Sequence, residues 1–249
     1  MNNIELNKVA IQSIGIDTIR LPGVGSASAK GSGNLFHKSL VDAWFMSGYS
    51  NDNPPASIRG VKGHELALKN FAFTPSSGFG KEAYAGSLVF DGVDDYAVCD
   101  NMPIQTDYTL ICRREIINTN NSSAVASKRT YPNDIGSFGA FVIERVFANS
   151  SKALYSFGKD NAIDSFDSNQ IIYQSKTAYN GKNITAGDSS DTNILSLGAN
   201  AYNLSLGRCQ EFSNVAIYYF ALYDKSLTPD EIEQEKIKLN EIWTKRLNK

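Results

Sequence analysis

The chain has 249 residues, with 24 Lys and Arg against 26 Asp and Glu, and its formal net charge of −2 gives no electrostatic footprint for nucleic acid. No stretch approaches about 18 consecutive apolar residues, so no helical membrane span is expected. Cys99, Cys112 and Cys209 are few and odd in number, and Met1-Asn-Asn-Ile-Glu-Leu-Asn lacks a basic segment followed by an apolar one; the expectation is reduced, buried thiols and no secretory signal.

The first two dozen residues form four consecutive units of the pattern apolar-x-apolar-x-x: Ile4-Glu-Leu-Asn-Lys, Val9-Ala-Ile-Gln-Ser, Ile14-Gly-Ile-Asp-Thr and Ile19-Arg-Leu-Pro-Gly. A five-residue step matches neither the helical nor the strand period. On a straight strand the pairs Ile4/Leu6, Val9/Ile11, Ile14/Ile16 and Ile19/Leu21 would alternate faces. The segment must bury both faces or turn at every unit, and so few repeats cannot enclose a core alone. Two readings follow. One is an N-terminal strand that pairs with its own domain. The other is an assembly anchor completed by further copies of the chain or by a capsid or tail partner. Gly23-Val-Gly-Ser-Ala-Ser-Ala-Lys-Gly-Ser-Gly33 then reads as a flexible tether.

From residue 35 onward, short runs of β-branched and aromatic residues stand between Gly, Asn, Asp and Ser clusters, the spacing of an antiparallel sandwich. Leu88-Val-Phe-Asp-Gly-Val-Asp-Asp-Tyr-Ala-Val98 reads as a strand, a turn and a strand, with Leu88, Phe90, Tyr96 and Val98 facing inward. Tyr108-Thr-Leu-Ile-Cys-Arg-Arg-Glu-Ile116, Ala140-Phe-Val-Ile-Glu-Arg-Val-Phe147 and Asn214-Val-Ala-Ile-Tyr-Tyr-Phe220 suit long central strands, and Asn180-Gly181 suits a two-residue hairpin. Only the C-terminus is plainly helical. Thr228-Pro-Asp-Glu231 is a capping box with Pro at the first helical position, and Ile232, Leu239, Ile242, Trp243 and Leu247 fall near one face. The domain plan is residues 1–34 as repeat and linker, 35–228 as a β domain, and 229–249 as an amphipathic helix packed on it.

Five segments, in order, resemble the laminin-G-like, concanavalin-A-like family of two-sheet jelly rolls. They are Leu40-Val-Asp-Ala-Trp44 with Val61-Lys-Gly-His-Glu-Leu-Ala-Leu-Lys-Asn70, the Phe90-Asp-Gly-Val-Asp-Asp-Tyr96 element, the strand through Tyr108–Ile116, Ala178-Tyr-Asn-Gly-Lys182, and Leu195-Ser-Leu-Gly198. The resemblance implies an all-β, two-sheet antiparallel sandwich in which Trp44 is core and His64 structural. The opening around Trp44 and residues 63–73 also resembles fibre and decoration proteins of phages and prophages of gut bacteria.

Retaining glycosidases of this fold carry carboxylates on alternate residues of one strand, about 5 Å apart. Glu115 and Glu144 each stand alone in their strands, so no catalytic residue is assigned and the chain is expected not to be an enzyme. Sugar sites on sandwiches pair an aromatic ring with amide or carboxylate hydrogen-bonders. The candidates are Tyr131 with Asn133 and Asp134, and Tyr179 with Asn180. Calcium, the only cofactor entertained, would use Asp160, Asp164 and Asp167, with Asp91, Asp94 and Asp95 a second acidic loop. The resulting expectation is a virion structural protein made in a host cytoplasm. It would self-associate through its N-terminus, with a trimer suiting a fibre, and display a jelly roll for host-surface or mucosal glycans, with no nucleic-acid or membrane partner. The alternatives are a bacterial surface or secreted carbohydrate-binding lectin domain and a glycoside hydrolase of the same fold.

Overall fold

A computed structural model describes residues 35–118, 123–131, 138–147 and 149–248. The chain divides into two units, residues 1–36 and 37–249. The repeat, with Ile4, Leu6, Val9, Ile11, Ile14, Ile16, Ile19 and Leu21, lies outside the described residues. All strands and the helix described below belong to the second unit.

That unit is the expected all-β sandwich, built from one sheet of eight strands and one of ten. The long strands Thr109–Asn118 and Asn214–Tyr223 pair antiparallel at the centre of the first sheet, flanked by Ile171–Ser175 on one side and by Leu88–Asp91 and Leu40–Phe45 on the other. Phe138–Val146, Ala126–Tyr131, Leu195–Leu197 and Tyr96–Cys99 make the middle of the second sheet. Among the described residues its one parallel pairing joins Ala199–Asn203 to Ala126–Tyr131. The core between the sheets includes Trp44, Phe90, Phe141, Leu195, Ile217 and Phe220.

Asn214–Tyr223 is buried from Val215 to its end, because both its faces are covered. Val215 and Ile217 face the core, as do Phe220 and Leu222, although Ile217 and Phe220 are three residues apart. A register shift between Ile217 and Tyr219 inserts the extra residue and switches the inward parity. On the opposite face, Tyr218 meets Trp243 of the helix Pro229–Leu247 edge-on at 5.6 Å between centroids. Thr228 caps that helix with the full capping box. Its buried stripe is Ile232, Glu235, Leu239 and Trp243; Ile242 is only half-buried and Leu247 is exposed. Glu235 joins the stripe because Tyr223 Oη, the His37 N–H and Lys238 Nζ all donate to its carboxylate. Among the described residues no helix is long and apolar enough to cross a membrane.

The Asp91–Asp95 turn corrects one expectation. Leu88–Asp91 belongs to the first sheet and Tyr96–Cys99 to the second, so the turn carries the chain between sheets and the expected inward set holds only on its near side. Leu88 and Phe90 do face the core, but beyond the turn Ala97 and Cys99 do so, while Tyr96 and Val98 pack outside against Phe212 and Tyr202. The hairpin of Ala199–Asn203 and Arg208–Phe212 supplies those two partners, giving the large side chains somewhere to be buried outside the main core.

Candidate functional site

Neighbours on a strand point to opposite faces, so Arg113 and Arg114 leave Thr109–Asn118 in opposite directions. Arg114 follows Leu110 and Cys112 into the sandwich. There it forms a two-pronged ion pair with Glu144, with Nε 2.7 Å from Oε2 and the second contact between Nη2 and Oε1. Glu144 is aimed inward from a register shift in Phe138–Val146, where it takes a φ of 51°. Tyr179 Oη donates to the same carboxylate at 2.7 Å, and Arg114 also donates to the carbonyls of Asp167 and Asn169. Burial, reinforced by the Glu144 charge, pushes the Tyr179 phenol far above its ordinary range. Every member of this cluster is spoken for inside the protein.

Arg113 goes outward. Its guanidinium lies 4.2 Å from the Trp243 ring and 5.0 Å from the Tyr218 ring, donates to Asn240 Oδ1 at 2.8 Å and to Gln170 Oε1 at 3.0 Å, and makes no ion pair among the described residues. Its Nε is buried without a hydrogen-bond partner. Ile171 sits opposite Arg113 on the adjacent strand, and Tyr173, two residues on, shares that outer face. Arg113 and Ile171 border a cleft of about 750 Å³ between residues 168–171 and the helix face carrying Glu233, Lys236 and Asn240. Lys236 bonds Glu233 at 2.8 Å and stands 5.1 Å over the ring of Tyr173. A second depression, of about 330 Å³, shares Ser168 and Gln170 with the first and adds Arg114, Glu115 and Phe166.

Guanidinium has no acceptor, so both amides must turn their oxygens toward Arg113. Among the described residues, neither Gln170 Nε2 nor Asn240 Nδ2 donates to another protein group. The cleft therefore offers free amide donors around an uncompensated cation, beside aromatic rings.

The sugar candidates read from sequence lie elsewhere. Tyr179 is 3% exposed and committed to Glu144, so it offers no open ring face. Asn180, at φ 43°, and Gly181, at φ 80°, do form the two-residue turn, and Asn180 Oδ1 accepts from the Tyr173 N–H at 2.8 Å. Tyr131 is half-buried with Arg129 4.9 Å from its ring, and Asn133 and Asp134 lie outside the described residues. Tyr173 lies beside the polar cleft with Lys236 over its ring, whereas Tyr179 is buried. The inward step from Leu110 and Cys112 to Arg114 was the available signal, since it places Arg113 on the outer face.

The calcium candidates Asp160, Asp164 and Asp167 do not converge. Asp160 pairs with Arg145 at 3.2 Å, and Asp167 turns back to the Asn169 N–H, whose hydrogen bond holds its carboxyl below the usual range. Among the described residues, the one trio of acidic side chains with ligand atoms within 4.8 Å of one another is Asp91, Asp94 and Asp95. Asp91 Oδ1 accepts from the Val93 N–H at 2.8 Å and Asp95 Oδ2 from the Asp91 N–H at 3.0 Å, so these acids order the crossover turn.

No family profile and no curated protein matches the chain. Among solved structures, it is similar to the Trypanosoma rangeli sialidase in complex with a difluoro-KDN, at 13% identity and a TM-score of 0.54, covering 92% of this chain and 37% of that one. The same sialidase with sialic acid gives 13% identity and a TM-score of 0.53, covering 92% and 36%. A binding domain of botulinum neurotoxin serotype D/C gives 9% identity over 82% and 52% of the two chains, but its TM-score of 0.47 is too distant to carry an argument. The chain thus spans little more than a third of the sialidase, and the likeness at this identity establishes the sandwich fold. The expectation of a chain that is not an enzyme is withdrawn, because the sialidase structures it resembles in fold are enzymes. The missing alternate-carboxylate strand excludes one catalytic arrangement only; sialidases are an exception to paired-carboxylate chemistry and use a Tyr nucleophile.

Proposed function

We propose that residues 37–249 form a carbohydrate-binding sandwich whose glycan site is the cleft between residues 168–171 and the C-terminal helix. The observation that carries this reading is the pair of free amide donors, on Gln170 and Asn240, held in place by Arg113. Sugar hydroxyls accept such donors. The sialidase likeness adds support at the level of fold. This favours a lectin-like role over the virion-fibre reading, whose N-terminal repeat lies outside the described residues.

The test is a glycan array probed with the full chain, followed by calorimetry on the glycans retained. Gln170→Ala and Asn240→Ala should each weaken binding about tenfold, which is about 1.4 kcal/mol. An array without a bound glycan, or binding indifferent to both substitutions, would contradict the proposal. Product analysis of the same samples reads out any accompanying hydrolysis.

A further inference from the structure

We infer that the cleft selects glycans bearing a carboxylate, with Arg113 as the residue that reads it. The inference rests on the glycan-binding proposal and adds the ligand's charge.

The cleft is rich in donors and poor in acceptors. Arg113 has five N–H groups, of which two are met by amide oxygens and none by a carboxylate among the described residues. Gln170 and Asn240 contribute free NH₂ groups. Lys236 adds an ammonium and Glu233 the one carboxylate lining the cleft, and these two offset each other, which leaves the Arg113 charge. Packing against Trp243 and Tyr218 fixes the guanidinium plane and shields one of its sides from water. A cation held between ring faces and neutral amides is only partly solvated, and Arg113 has no ion-pair partner among the described residues. The planar fork of a guanidinium matches a carboxylate, whose two oxygens can take both an Arg113 N–H and an amide N–H. A neutral sugar satisfies the amides but leaves the charge unmet. Arg114, one residue away, makes the complementary case: there Glu144 already fills the fork.

The experiment compares carboxylate-bearing glycans with neutral counterparts of the same skeleton: 3′-sialyllactose with lactose, and trigalacturonic acid with its methyl ester. Calorimetry at low and high NaCl should show the acidic member of at least one pair binding about tenfold tighter or more, with the advantage shrinking in salt. Arg113→Gln should reduce that advantage to about twofold or less, and Arg113→Lys should restore only part of it. Because Arg113 also packs on Trp243, a second variant at the rim, Lys236→Glu, reverses the local charge without touching the core. It should weaken the acidic ligands about tenfold more than it weakens their neutral counterparts. Equal or tighter binding of the neutral members overturns the charge selection and leaves the glycan site standing. Absence of binding by all four probes, together with an array showing only neutral glycans, does the same. An empty array overturns both readings.

Discussion

Arg113 and Arg114 are adjacent, chemically identical and placed on one rigid strand, yet they do different work. Arg114 points inward to Glu144, Tyr179 and two backbone carbonyls, and every strong hydrogen-bonding group it meets is protein. Arg113 points outward to ring faces and amide oxygens and is left without a counter-ion. Their neighbourhoods separate a stability role for Arg114 from the binding role proposed for Arg113. A buried cation is tolerated once paired and hydrogen-bonded, whereas a cation retained beside a cleft without a partner is available to a ligand.

The sharpest way to break this contrast is Arg114→Met. It strands Glu144 and the Asp167 and Asn169 carbonyls, and chemical denaturation should show a loss of about 3–5 kcal/mol. Much of that loss should return when Glu144→Leu is added, because the penalty comes from the uncompensated charge. Tyr179→Phe removes one donor from the same carboxylate and should cost about 1–3 kcal/mol by the same assay.

Asp95 is an intermediate case: fully buried, with one carboxylate oxygen unpartnered and no ion pair among the described residues. Burial lifts its carboxyl to about 6 despite hydrogen bonds that lower it. The folded state therefore holds the proton more tightly than the unfolded chain, whose ordinary value is near 3.8. The stabilisation is complete below that ordinary value and is lost as pH rises through about 6. Thermal or denaturant unfolding from about pH 4 to 7 should show a decline of about 1–3 kcal/mol that Asp95→Asn removes. The smallest stability effect is expected for Arg113→Gln, about 1 kcal/mol, the cation–π contacts being its main structural contribution. A loss as large as that of Arg114→Met would erase the distinction between the two arginines.

The fold was legible because it rests on local rules. The capping box at Thr228, the positive-φ turn at Asn180-Gly181 and the apolar central strands each declare themselves within a few residues. The inward parity beyond the Asp91–Asp95 turn was not legible. It depends on a hairpin a hundred residues later that covers Tyr96 and Val98. The cleft was hidden for a similar reason. Arg113, Gln170 and Asn240 come from a strand, a loop and the helix, and no sequence spacing marks their meeting. Tyr179 looked like a loop platform because it borders an Asn-Gly turn. It packs in the core instead, where its hydroxyl meets Glu144, re-aimed by a register shift that leaves no trace in the residue pattern.

The most direct measurement is an amide chemical-shift map of the isotope-labelled full chain titrated with 3′-sialyllactose and with trigalacturonic acid. The account expects saturable shifts concentrated at Arg113, Ser168, Gln170, Lys236 and Asn240, saturating only at about tenfold higher ligand in Arg113→Gln, with the Arg114–Glu144–Tyr179 cluster moving little. Shifts centred instead on Tyr131, or a map unchanged by both probes and by Arg113→Gln, would contradict it.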